Sequence, residues 1–133
     1  MAFYRTREGQ VTAADSFTAI TGLYGQSTTA SIQVPAGSTA IVGMIASVAT
    51  DSAANGVTTF AAQVSGDGLQ SGQETIVFAG TGVDGTPVSN GQVVNAFSQD
   101  VSIPCIASNQ VSVAVAMSGD TGSCEAAITL VFQ

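Results

Sequence analysis

The sequence predicts an all-β fold, a single-domain antiparallel β-sandwich, on three observations. Apolar residues alternate with period two in several segments, most cleanly near the C-terminus. There Val111, Val113, Val115 and Met117 point one way while Ser112, Ala114 and Ala116 point the other, and Ala126, Ile128, Leu130 and Phe132 repeat the pattern after a polar turn. The apolar runs are short, about eight or nine in all, and are separated by clusters of Gly, Ser, Asn and Asp. No stretch carries helical periodicity, which leaves two packed sheets as the way to bury these faces. On this reading Val113→Asp, at the centre of an inward row, prevents folding.

Residues 1–9 place Phe3 and Tyr4 beside Arg5 and Arg7, the only cations of the chain, and show no clear period. They read as an extended arm, with the sandwich domain spanning 10–133. An arm that holds all the positive charge is attracted to a neighbouring body that holds nearly all the negative charge; the alternative is a frayed terminus. Residues 10–26 give a weak signal, with one short strand over 16–23. Residues 28–34 alternate, with Ala30, Ile32 and Val34 on one face, before Pro35, Ala36 and Gly37 turn the chain. The longest strand spans 38–50 and is apolar on both faces through Ile41, Val42, Met44, Ile45 and Val48, which places it mid-sheet or under a contact.

A turn over 51–56 contains Asn55 and Gly56, and a strand over 57–65 alternates through Phe60, Ala62 and Val64. Residues 74–79 form a strand with Ile76 and Phe78 on one face. Residues 80–91, with four glycines and Pro87, read as a surface loop. Strands over 92–97 and 101–106 lead to the C-terminal pair, and Pro104, lacking an amide proton, requires an edge or a bulge.

The length of 133 residues suits one core. Only 8% of residues are charged, against roughly 25% in an average soluble domain. All nine carboxylates lie at or beyond Glu8 and both arginines before it, so residues 8–133 carry −9 and the whole chain −7. Such a body repels phosphate, and nucleic-acid binding by the folded part is not expected. The densest apolar block, 40–49, is about half the length of a membrane-spanning helix and contains Gly43 and Ser47, so no membrane span is expected. The first residues lack the apolar stretch of a secretory signal, which points to synthesis in the cytoplasm.

Histidine, lysine and tryptophan are absent. Histidine-activated serine or cysteine nucleophiles, Ser-Lys dyads and Schiff-base lysines are therefore excluded, and two cysteines alone do not close a zinc shell. A carboxylate pair remains chemically available, but most of the carboxylates sit in Gly/Ser turns, where aspartate serves local hydrogen bonding. The chain is expected to be no enzyme and to hold no cofactor. Asp51, Asp67, Asp84 and Asp120 lie in loops that could gather around calcium, yet none follows the spaced acidic ladder of an EF-hand, and solvated turn residues are the reading favoured. With Tyr4 and Tyr24 the only tyrosines, an aromatic platform for sugars is hard to build.

Cys105 and Cys124 invite a disulfide worth roughly 3 kcal/mol. In a meander of the last three strands, however, their levels differ by about 13 Å along the strand, plus two strand spacings, beyond the ~7 Å limit between Cα atoms, and a jelly-roll arrangement, which also makes these strands parallel, offers no better approach. Two buried free thiols are expected.

The outward positions of the C-terminal strands are Ser112, Ala114 and Ala116 on one and Ala127, Thr129 and Val131 on the next, with Thr59, Ala61 and Gln63 earlier. Small uncharged side chains let another surface approach without desolvating charge, whereas exposed sheets ordinarily use charge to resist pairing. These rows are the candidate contact faces, and Phe3, Tyr4, Arg5 and Arg7 the candidate assembly arm.

With its short basic-aromatic arm, about eight strands, long Gly/Ser/Thr loops and strong final strand, the chain resembles the single jelly-roll proteins of viral capsids over roughly residues 16–132. The resemblance implies an eight-stranded jelly roll and a virion structural protein, a capsid subunit or a minor or decorating protein, made in the host cytoplasm. Its implied partners are copies of itself in a homo-oligomer and other virion proteins. Capsid arms that bind genomes carry many more basic residues than this one. The competing class is an extracellular or appendage-borne, adhesin-like β-sandwich binding module.

Overall fold

The computed structural model describes residues 1–12, 14–20, 31–50, 59–70, 76–81, 93–118 and 123–133. The regular elements among them are all strands: β1 (Phe3–Thr12), β2 (Ala14–Ala19), β3 (Ser31–Gln33), β4 (Ala40–Thr50), β5 (Thr59–Ser65), β6 (Ile76–Thr81), β7 (Val93–Pro104), β8 (Gln110–Ser118) and β9 (Ser123–Phe132). One sheet runs β1-β9-β4-β7 and the other β2-β8-β5-β6, with β3 also on β8. β2 pairs with β8 between Met117 and Ala114 and β3 pairs with it between Ser112 and Gln110, while β5 takes the other edge of β8. β2 and β3 thus lie end to end and fill one position.

Counting that interrupted strand once gives eight positions, in which the first neighbours the eighth, the second the seventh, the third the sixth and the fourth the fifth. This is the winding of a jelly roll, a long hairpin folded into two antiparallel sheets. The all-β sandwich expected from the alternation is the fold observed.

The core lies between the sheets. Val111, Val113 and Val115 of β8 and Ala62 and Val64 of β5 face Ile128, Leu130 and Phe132 of β9 and Ile41, Met44 and Ala46 of β4, all buried. Each large side chain contributes on the order of 1.5–3 kcal/mol by leaving water. β4 lies mid-sheet, as expected, between β9 and β7. Its apolar run on both faces has a local cause: between Ile41 and Gly43 its partner on β9 moves only from Phe132 to Val131. The extra residue of this bulge reverses the alternation, so Ile41 and Met44, three positions apart, both enter the core.

Two expectations are corrected. The arm drawn over residues 1–9 is strand from Phe3 onward, paired residue by residue with β9 of the same chain from Phe3↔Phe132 to Thr12↔Ser123, so the boundary between 9 and 10 falls inside β1. Its inward positions carry Phe3, Arg5 and Arg7, opposite Phe132, Leu130 and Ile128. Cations at the rim of a sandwich can lay their stems along apolar surface and keep their heads in water, which hides the apolar period.

The strands expected over 92–97 and 101–106 are one strand, β7. Its central Ser98, Gln99 and Asp100 are exposed, and at the edge of a sheet a polar run need not end a strand. Pro104 closes this edge strand, as its missing donor requires.

The last three strands do not form a meander, because β8 lies in the opposite sheet from β7 and β9. Cys105 is a buried free thiol, as expected. Its amide donates to Thr39 O at 2.9 Å, beside the end of the sheet where Ile41 meets Phe132. Cys124 pairs with Thr50 at the far end of β9, about 26 Å away at ~3.3 Å per residue. The side chain of Cys124 lies outside the described residues.

Beyond β5, Gly66, Asp67 and Gly68 close one end of the sandwich. Gly68 N donates to Gln110 O at 2.7 Å, Gln110 N to Asp67 Oδ1 at 3.1 Å, and Ile106 N to Gly68 O at 2.8 Å. Leu69 is buried beneath and bridges to Cys105. Gly66 has φ +126, and a Cβ there would stand 2.6 Å from Gln110 O. Only glycine lets this loop lie so flat on β8.

Candidate functional site

Because the two C-terminal strands belong to different sheets, the two candidate contact rows occupy opposite outer faces of the sandwich. On the first face, Ala127, Thr129 and Val131 of β9 lie between Glu8, Thr6 and Tyr4 of β1 and Ser47, Ile45 and Gly43 of β4. Thr6 and Thr129 share a hydrogen bond between their hydroxyls at 2.8 Å. Tyr4 is 59% exposed and Ile45 43%, and the middle of the face carries no charge. A Cβ at Gly43 would touch Val131 Cγ2 at 3.4 Å, so the missing side chain lets Val131 lie across β4.

On the second face, Ser112, Ala114 and Ala116 of β8 register with Ser65, Gln63 and Ala61 of β5. All six are half-buried and uncharged. Thr59 continues the β5 row in register with Ser118, but its side chain lies outside the described residues.

The four residues expected to act as an arm are divided by the strand. Tyr4 joins the outer face, while Phe3, Arg5 and Arg7 line a groove along the open rim of the sandwich. The groove has a volume of about 440 Å³, and its other wall is built by residues 32–36 and Ser108. That wall is held from beneath. Val34 N donates to Asn109 O at 2.9 Å and Ser108 N to Val34 O at 3.0 Å, with Ser108 in the left-handed region at φ 70. Gly37, at φ 85, completes the turn in which Ser38 N donates to Pro35 O at 3.0 Å.

Both guanidiniums bond the edge of their own strand, Arg5 Nη1 to Tyr4 O at 3.0 Å and Arg7 Nη1 to Thr6 O at 2.9 Å. Charge on an edge strand resists unwanted pairing. Arg7 also donates from Nη2 to Ser31 O at 2.8 Å, bridging β1 to β3, and the Arg5 guanidinium lies 5.9 Å from the centre of the Phe3 ring. The cations are legible in the sequence, but the second wall is not. Nothing in the spacing of residues 32–36 marks them as neighbours of residues 3–7.

Of the four loop aspartates, Asp67 holds the amide of Gln110, a local structural task. Asp51, Asp84 and Asp120 lie outside the described residues, as does the turn expected over 51–56; of the loop expected over 80–91, residues 80 and 81 belong to β6 and the rest lies outside the described residues. Among the described residues no three Cys, Asp or Glu side chains gather as a metal site, and no helix is long and apolar enough to cross a membrane.

No protein-family model matches this sequence, and no curated protein matches it. Solved structures are similar in fold. The VP2 subviral particle of infectious bursal disease virus matches 99% of this chain at 17% identity with a TM-score of 0.56, and the structure of the Gx strain of that virus matches 98% at 18% identity with a TM-score of 0.54. This chain spans 32% of each of those viral chains. The globular domain of zebrafish complement 1qA is similar over 96% of this chain and 93% of its own length, at 10% identity and a TM-score of 0.50. At these identities the likeness is one of fold, an antiparallel β-sandwich that viral capsid proteins share with other proteins.

Proposed function

We propose that this chain is a structural protein of a virion, a capsid subunit or a minor or decorating capsid protein, which assembles with copies of itself and with other virion proteins and performs no catalysis. The observation that carries the reading is the pair of outer sheet faces, whose central rows hold Ala, Ser, Thr, Val, Ile, Gly43 and Gln63 with no lysine or arginine to keep a neighbour away. On the first face Tyr4 and Ile45 add exposed apolar area of the kind found at the centres of interfaces. The jelly-roll winding and the likeness in fold to the VP2 subviral particle agree with a shell protein as a fold-level analogy.

Light scattering coupled to size-exclusion chromatography at micromolar concentration tests the reading. Trimers, pentamers or larger assemblies are expected, and purified virions of the source virus should contain the chain. A monomer at every salt concentration would overturn it in favour of the adhesin-like binding module.

A further inference from the structure

We infer that the groove between β1 and the β3–β4 turn receives a carboxylate from a second copy of this chain, with Arg5 as the residue that binds it. The inference rests on the assembly reading and names the contact within it.

Charge selects the occupant. Each copy carries −7, so two copies repel at long range, and an interface between them gains electrostatically only where a carboxylate of one meets a cation of the other. A copy has nine carboxylate side chains but only two cationic ones, and both of these line this groove. No other side chain of the sequence can supply the positive partner.

The two arginines are not equivalent. Arg7 is half-buried and donates to Ser31 O and Thr6 O, which makes it part of the groove wall. Arg5 is exposed, bonds Tyr4 O through one nitrogen, and forms no ion pair among the described residues. Its planar fork retains further N–H donors, suited to a bidentate carboxylate. The Phe3 ring beside it favours the guanidinium at this spot by cation–π attraction.

Salt titration alone gives an ambiguous answer, since salt screens both the overall repulsion and the local attraction. Two substitutions give a clear one. Arg5→Glu, with its thermal midpoint close to wild type, is expected to weaken self-association about tenfold or more. Arg5→Lys places the sole lysine of the chain in the groove. Treatment with a water-soluble carbodiimide should then join that amine to an Asp or Glu of another copy. The new amide bond forms as the carbodiimide takes up the carboxylate oxygen and leaves as a urea.

A mixture of ordinary and ¹⁵N-labelled chains shows by mass whether the link is between copies, and wild type, with no lysine, controls for the N-terminal amine. If Arg5→Glu assembles as tightly as wild type, or the link forms only within one chain, the groove contact is overturned while the assembly reading stands. If wild type is monomeric throughout, both fall. Should Arg5→Glu fail to fold, Arg5→Gln replaces it and the crosslink decides.

Discussion

Arg7 on β1 donates to the carbonyl of Ser31 on β3 at 2.8 Å, although 24 residues separate them. The bond joins the rim of one sheet to the rim of the other at the open side of the sandwich, where no strand pairing among the described residues does so. Arg7→Met keeps the stem and removes the donors. A loss of about 1–2 kcal/mol is expected, the lower range for a charged hydrogen bond at a half-buried site. Urea unfolding checks it: the midpoint should fall while the slope is unchanged.

Thr129 and Ala114 test the two outer faces separately, because they lie on opposite sides of the molecule. Thr129→Glu and Ala114→Glu each place a carboxylate at the middle of an uncharged face. Ala114→Glu should fold with stability within about 1 kcal/mol of wild type, and Thr129→Glu, which also loses the hydroxyl bond to Thr6, within about 2 kcal/mol. The face covered in the assembly is the one whose variant is monomeric by light scattering. Assembly by both variants as in wild type would show that neither face is covered.

Gly66→Ala should destabilise by roughly 2–3 kcal/mol, since it combines a left-handed φ with a contact against backbone that cannot move aside. Gly37→Ala is the control, with a left-handed φ of +85 but open space around it, and should lose only about 1 kcal/mol. Thermal melts of the two proteins compare the terms directly.

Burial pushes the Cys105 thiol above its ordinary value of 9.0, because the interior disfavours the thiolate. The folded state therefore holds this proton to higher pH than the unfolded state does. The group's contribution to stability is complete below the unfolded value and is lost as pH rises from there through the folded one. Cys105→Ala should flatten the fall in stability above about pH 9 that belongs to this group. A thiol reagent at neutral pH should label Cys105 in urea but scarcely at all in the native protein.

Much of the fold was legible along the chain. The rows Val111, Val113, Val115 and Ile128, Leu130, Phe132 obey a local rule, side chains alternating about a strand axis, so the core they build can be read from spacing alone. Pro104 at the end of an edge strand was legible for the same reason, since a missing N–H is a property of the residue itself. The absence of lysine and histidine limits the chemistry at the level of the sequence itself.

Which surfaces stand together was decided only by the tertiary structure. β8 and β9 follow one another in the chain but enter different sheets, which sends Ser112, Ala114 and Ala116 to one side of the molecule and Ala127, Thr129 and Val131 to the other. Residues 1–9 became a strand because β9 offers them a free edge, and Arg5 met the wall of residues 32–36 because the winding brings β1 over β3. Side-chain alternation is a property of one strand, whereas the partner of each strand edge is chosen by contacts between residues far apart in the chain, which no local spacing encodes.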